Sequence, residues 1–156
     1  MAHPTKWRIE RRGPKDPIVE DMVASYLAEL RAKYPDFDPA LASAPTPTDF
    51  IWPNGCFLLI MAGNEAVGLG AIRRLSDSVG ELRRMWVKPA WRGQQAGRYL
   101  LEALEMLARE MDIVELCLDS KNGLDPALSL YRSAGFDDVP RYNDNDFADI
   151  WLAKRF

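Results

Sequence analysis

Residues 92 to 98 read Arg92, Gly93, Gln94, Gln95, Ala96, Gly97 and Arg98, at a point where an apolar strand gives way to a helix. Leu82, Met85, Trp86 and Val87 carry the strand, Pro89 ends it, and from about Gln94 the apolar residues recur at the helical period. A helix mouth of this kind offers unpaired backbone N–H groups and the positive end of the helix dipole to an anion. A phosphorylated cofactor is expected there. The alternative reading of Gly93 and Gly97 is a turn followed by close packing. Two familiar phosphate motifs are absent: no Gly-Lys is followed by Ser or Thr, and no Gly-x-Gly-x-x-Gly opens a βαβ unit.

Other chemistries have less to work with. Cys56 and Cys117 lie in apolar runs and read as buried, reduced strand residues, too few for a zinc site or a disulfide framework. His3 is the only histidine and lies in an N-terminal stretch expected to be poorly ordered, so metal catalysis and histidine general-base chemistry have little support. The chain of 156 residues is 47% hydrophobic and 28% charged, which fits a single globular domain over residues 1–156. A net charge of −3 gives no electrostatic case for nucleic acid or an anionic membrane. The arginine pairs at 11 and 12, 73 and 74, and 83 and 84 read as solvated faces. No signal-like or membrane-spanning stretch is evident, so a cytoplasmic protein is expected.

The elements that must position these residues follow from periodicity. Trp7 to Arg11 alternates as a strand, and Asp16-Pro17 starts a helix with an Ile18, Met22, Tyr26, Leu27, Leu30 stripe to about Tyr34. The proline-rich segment 35–54 reads as a packed surface loop, with Phe37, Phe50, Ile51 and Trp52 to bury and one short helix in its Ala-rich middle. Strands are expected at 56–62, 66–75 and 81–88, the long helix next, then a strand at 113–118. Asp125-Pro126 offers an N-cap and first-turn proline to a short helix that Gly135 ends. A polar hairpin in the 140s and a last strand complete a mixed, mainly antiparallel central sheet flanked by helices, an α/β chain of α+β type.

Arg92-Gly93-Gln94-Gln95-Ala96-Gly97 resembles the acyl-CoA signature Gln/Arg-x-x-Gly-x-Gly/Ala of the GNAT superfamily of N-acyltransferases, with Gln95 replacing the first motif glycine. A side chain there leaves the N–H free to donate if its φ is negative. Leu130-Tyr131-Arg132-Ser133-Ala134-Gly135-Phe136 resembles the Leu-Tyr-x-x-x-Gly-Phe segment of many members, and the likeness covers about 55–156. Where many members place an Asn seven positions before this Tyr, the chain has Leu124.

The resemblance implies the GNAT fold and acetyl-CoA as cosubstrate, with its pyrophosphate on the amides of Gln94 to Arg98 and no metal. Its pantetheine arm and the reacting carbonyl oxygen would meet backbone groups exposed by a bulge in the central strand, among Met85, Trp86 and Val87 and by position near Trp86 or Val87; Trp86 fits a core residue equally. Glu81 stands where several members place a catalytic base, with an ion-paired strand-end glutamate as the alternative. Tyr131 would be the acid that protonates the departing thiolate, with a core tyrosine as the alternative. Tyr142 and Asn143, with Asp144 and Asn145, are candidate acceptor contacts or plain turn residues. Asp144 and Asp146 would suit a cationic amine.

The implied function is acetyl transfer to a primary amine by direct attack, the acceptor being a small molecule. The alternatives are a protein N-terminus or lysine as acceptor, or a catalytically silent acyl-CoA-binding sensor, which Gln95 and Leu124 favour. Family members often dimerise through edge strands, so a homodimer is one expected state, though nothing in the sequence fixes it.

Overall fold

The computed structural model describes residues 7–38 and 47–156. Strands β1 (Trp7–Arg12), β2 (Gly55–Ala62), β3 (Glu65–Arg74), β4 (Val79–Val87), β5 (Glu115–Ser120), β6 (Asp137–Asp138) and β7 (Ile150–Arg155) form one sheet in the order β1-β2-β3-β4-β5-β7-β6. Every neighbouring pair is antiparallel except β4 and β5. Helices α1 (Pro17–Lys33), α2 (Ala96–Glu110) and α3 (Asp125–Ser133) cover the two faces.

Strand β2 shows why both faces need cover. Successive side chains alternate across a sheet, so Cys56, Leu58 and Ile60 join the core under α2 while Phe57, Leu59 and Met61 join the one under α1. An unbroken apolar run is what a strand buried on both sides requires. Helix α2 supplies Leu100, Leu101, Leu104, Leu107 and Ala108 to the first core and approaches β3 closely. A Cβ on Gly70 would meet Leu104 Cδ1 at 2.9 Å.

Capping sets the helix ends. Asp16 accepts from the N–H groups of Ile18 (2.8 Å) and Val19 (3.4 Å) before Pro17 opens α1. Its buried face is Val19, Met22 and Leu30, with Tyr26 and Leu27 half-buried at its flank. Helix α3 begins one residue earlier in its capping scheme than expected: Leu124 is the N-cap, Asp125 is already helical and Pro126 occupies the first turn. Gly135, at φ +100°, ends it, and Phe136 N–H reaches back to Tyr131 O at 3.0 Å.

The strands start or end one or two residues away from the expected limits, as fraying ends do. The loop expectation needs correction. Phe50 is buried in a short 3₁₀ turn at Pro47–Phe50, but Ile51 and Trp52 are about half exposed, at 49% and 51%. Trp52 lies instead under the Arg11 guanidinium, 5.5 Å from the ring centroid. The short helix expected in the Ala-rich stretch and the reading of His3 fall outside the described residues.

Candidate active site

Two irregularities in the sheet open a cavity of about 1080 Å³. The first is the parallel pair. Strand β4 meets β5 only from Val79 to Glu81, opposite Glu115 to Cys117; beyond that the strands part, and β5 continues to Ser120 against β7. The second is a bulge in β4. Leu69 of β3 pairs with Trp86 and Ala71 pairs with Arg83, so Gly70 alone faces both Arg84 and Met85. Arg84 takes φ +58° there, a left-handed backbone that costs a non-glycine residue about 1–2 kcal/mol. The bulge thus lies one to three residues before the expected Trp86 or Val87.

A bulge breaks the regular alternation of side chains along the strand. Leu82, Met85 and Val87 pack on the α2 side, whereas Trp86 joins the α1 core and Arg84 lies against Tyr26 and Leu27 of α1. Reading the arginine pair at 83 and 84 as solvated therefore fails. Arg83 is only 11% exposed, between Glu81 (3.7 Å) and Asp119 (3.3 Å), and Arg84 lines the cavity. The neighbouring Arg73 is likewise drawn in, 2.8 Å from Glu81.

The mouth of α2 forms another wall. Gln95 sits at the N-cap with φ +70°, so the chain keeps a left-handed turn in spite of the side chain, and the negative φ on which the free N–H was conditioned is not adopted. The helix ladder starts with Tyr99 N–H on Gln95 O at 3.0 Å. The N–H groups of Ala96, Gly97 and Arg98 have no protein partner among the described residues, the arrangement that suits a phosphate. Gly93 turns at φ +80°. Gly97 also serves packing, since a Cβ there would meet Leu130 Cδ2 of α3 at 3.2 Å. Arg92 points back: its guanidinium bonds Val87 O and both carboxylate oxygens of Glu29, each at 2.9 Å. Arg98 donates to Ser133 Oγ at 2.9 Å, and Gln94 is exposed beside it.

Tyr131 stands on α3 across the opening from β4. It is only 7% exposed, lines the cavity and touches Phe136 edge-on, and its hydroxyl has no hydrogen-bond partner among the described residues. Burial pushes its ionisation well above that of an ordinary tyrosine, so the phenol keeps its proton. Tyr26, from α1, is raised by burial too and also lines the cavity.

Glu81 is elsewhere. Its carboxylate is fully buried beneath the cavity wall, where it accepts from Arg73, from Tyr142 Oη (2.5 Å) and from Asn143 Nδ2 (3.3 Å). Neither it nor Tyr142 nor Asn143 lines the cavity, because these three satisfy one another. Asn143 also donates to Asp119 (2.7 Å) and accepts from Trp151 Nε1 (2.9 Å). The cavity carboxylate of this network is Asp119, whose side chain is 12% exposed. From the 140s segment it is Asn145, Phe147 and Ala148 that reach the cavity, while Asp144 and Asp146 are exposed away from it.

Sequence reasoning missed Arg84, Asp119, Tyr26 and Glu29. Only Arg84 left a trace, as the residue that breaks the alternation between Leu82 and Met85. Both cysteines are buried free thiols, and burial pushes Cys117 up to about 11, which removes it as a nucleophile. No helix among the described residues is long and apolar enough to cross a membrane.

The model of the Acetyltransferase (GNAT) family matches residues 21–136. The chain is 33% identical over 122 residues to an IAA acetyltransferase of Azospirillum brasilense, covering 77% of this chain and 80% of that protein. It is 32% identical over 138 residues to the N-alpha-acetyltransferase RimI of Mycobacterium tuberculosis, covering 85% of each. A GNAT family acetyltransferase from Elizabethkingia anophelis, solved with acetyl-CoA bound, superposes with a TM-score of 0.69 at 19% identity, over 98% of this chain and 100% of that one.

Proposed function

The chain belongs to the GNAT acetyltransferase family, and from that premise we propose that it acts as a single-domain N-acetyltransferase, moving acetyl from acetyl-CoA to the primary amine of a small molecule. The observation that carries the reading is Tyr131: a buried, protonated hydroxyl, without a protein partner among the described residues, in the cavity between the β4–β5 split and α3. A satisfied core tyrosine would have its hydroxyl bonded or in water. A general acid needs the proton held and the oxygen available.

The residues present fit the cosubstrate. Unpaired N–H groups at Ala96, Gly97 and Arg98 suit its pyrophosphate, with Arg98, Gly93, Gln94 and Gln95 around them. Bound there, acetyl-CoA supplies an activated acyl group as a thioester. The backbone of Met85 to Val87, unpaired with β5, supports the pantetheine arm and offers N–H groups to the charge that develops on the carbonyl oxygen. The amine reaches the carbonyl from the α1 face, its nitrogen bonds to carbon as the C–S bond breaks, and Tyr131 gives its proton to the leaving sulfur. Asp119, one of the carboxylates that line the cavity, accepts the amine's proton, directly or through water. Glu81 acts one layer behind rather than as the base, by holding Arg83, Tyr142 and Asn143 in place, and Arg83 and Asn143 in turn hold Asp119.

The test is a thermal-shift titration with acetyl-CoA, CoA and ATP, followed by thioester consumption with a panel of amines. A stabilised protein with both CoA species and not with ATP, and turnover that Tyr131→Phe removes while binding persists, is the expected result. Binding without turnover of any amine, indifferent to Tyr131→Phe, would identify a silent acyl-CoA sensor. Likeness to the N-alpha-acetyltransferase RimI supports a second reading, a protein N-terminus as acceptor, so short peptides belong in the panel.

A further inference from the structure

The cavity's arginines are not alike. Arg92 is held by Glu29, Arg83 by Asp119 and Glu81, and Arg98 lies at the exposed α2 mouth on Ser133. The Arg84 guanidinium has neither an ion pair nor a hydrogen bond among the described residues. The remaining residues, 1–6 and 39–46, contain no Asp or Glu that might serve it. Burial works most against its charge; Tyr26 favours the charge and the neighbouring cation Arg83 opposes it. A half-buried guanidinium without a partner, on a left-handed backbone, is unfavourable, since charges withdrawn from water are ordinarily paired. Such a group fits a site whose missing anion arrives with a ligand.

Placement tells which ligand. The phosphates of the cosubstrate belong at the α2 mouth, whereas Arg84 faces α1 beside Tyr26, which has no hydrogen-bond partner among the described residues either. Trp86 lies 6.4 Å from Tyr26 between ring centroids, and Leu30, Phe37 and Phe147 line the same cavity, which gives it apolar and aromatic walls. A guanidinium takes a carboxylate through two parallel hydrogen bonds, a geometry that lysine or a hydroxyl does not supply.

We propose that Arg84 is the acceptor-recognition residue, binding a carboxylate on the acceptor, so that the substrate class is a primary amine bearing a carboxylate on an apolar or aromatic frame, as in the larger apolar amino acids. The inference rests on the acetyltransferase reading of the same cavity. The carboxylate is held and is not altered; only the amine nitrogen gains the acetyl group.

The experiment compares matched acceptors. L-Phenylalanine, L-leucine and L-tryptophan are each assayed beside their amides and the corresponding decarboxylated amines, with wild-type protein and with Arg84→Gln and Arg84→Gly. The expected result is a preference of at least tenfold in kcat/KM for the carboxylates. Both variants lose it through a raised KM for the carboxylates alone, while the thermal shift with acetyl-CoA is unchanged. Arg84→Gly also separates recognition from structure, since glycine accepts φ +58° without strain. Its Tm is expected to equal or exceed that of the wild type.

Equal use of amides or amines by the wild type would overturn the proposal and leave the acetyltransferase reading intact, as would a loss in Arg84→Gln shared by both kinds of acceptor. Acetyl-CoA binding with no turnover of any carboxylate would overturn it too. Absence of acetyl-CoA binding would instead defeat the underlying reading.

Discussion

The environments of Tyr131 and Glu81 predict opposite outcomes on removal. The Tyr131 hydroxyl is buried with no partner among the described residues, so Tyr131→Phe leaves no donor or acceptor stranded and stability should hold or rise by up to about 1 kcal/mol. Its turnover should fall about 10²- to 10³-fold, the share of a general acid, with acetyl-CoA affinity intact. Because burial raises the phenol above its unfolded value near 10, the folded state holds that proton more tightly. The resulting stabilisation is fully present at neutral pH and is lost only as pH rises above about 10, and activity should show no tyrosine ionisation below that point. A steep loss of activity between pH 7 and 9 that vanishes in Tyr131→Phe would contradict this. Glu81→Gln, in contrast, leaves Arg73 and Arg83 facing each other without their shared anion. Breaking such a buried arrangement costs about 3 kcal/mol, or roughly 6–12 °C in Tm for a chain of this size. Urea unfolding of that variant decides: unchanged stability with lost turnover would return Glu81 to the role of base.

At the scale of elements, the open N–H groups of the α2 mouth are legible because a helix mouth of this kind is local. It needs a strand end, a turn and a helix start, all written in consecutive residues from Val87 to Arg98. Helix α3, which carries Tyr131, is legible for a similar reason, as a short helix closed by Gly135. The bulge and the carboxylate network are not, since both depend on register. Whether Glu81 faces the cavity or the layer behind it is set by which residue of β3 it pairs with, here Arg73, and by the 140s segment returning over it through Tyr142 and Asn143. Nothing near Glu81 in the chain encodes either. Gln95 gives the element-scale prediction. Its φ of +70° preserves the glycine backbone of the motif at a cost of about 1–2 kcal/mol, part of which a glycine's greater freedom in the unfolded chain would offset. Gln95→Gly should therefore raise stability by about 0.5–1 kcal/mol, with acetyl-CoA affinity changed less than threefold. Gln95→Val, β-branched at positive φ, should lower both. Calorimetry on the pair measures these directly; a Gln95→Gly protein that binds acetyl-CoA tenfold more tightly would show that the glutamine distorts the phosphate site.

At the scale of the molecule, the sheet is two antiparallel blocks, β1 to β4 and β5 to β7, joined by a parallel ladder of only three residues on each side. Past Glu81 the β4 edge that faces β5 has lost its partner strand, and the same opening leads to α3 and the α2 mouth. An edge of this kind is a place where a chain of alternating donors and acceptors can add. The pantetheine arm is such a chain, so acetyl-CoA should act as a surrogate strand that ties the two blocks together, and it should do so at defined amides. Hydrogen exchange followed with and without acetyl-CoA is expected to slow at Met85 to Val87 in β4 and at Ala96 to Arg98 in α2. The β1–β2 ladder, whose six register pairs are complete without a ligand, should change little. Local opening governs exchange at such edges, so the size of the effect reports the stability that the ligand adds across the split. Protection at the α2 mouth with none in β4 would mean that the phosphates dock while the arm lies elsewhere, and the thioester would then not be presented to Tyr131.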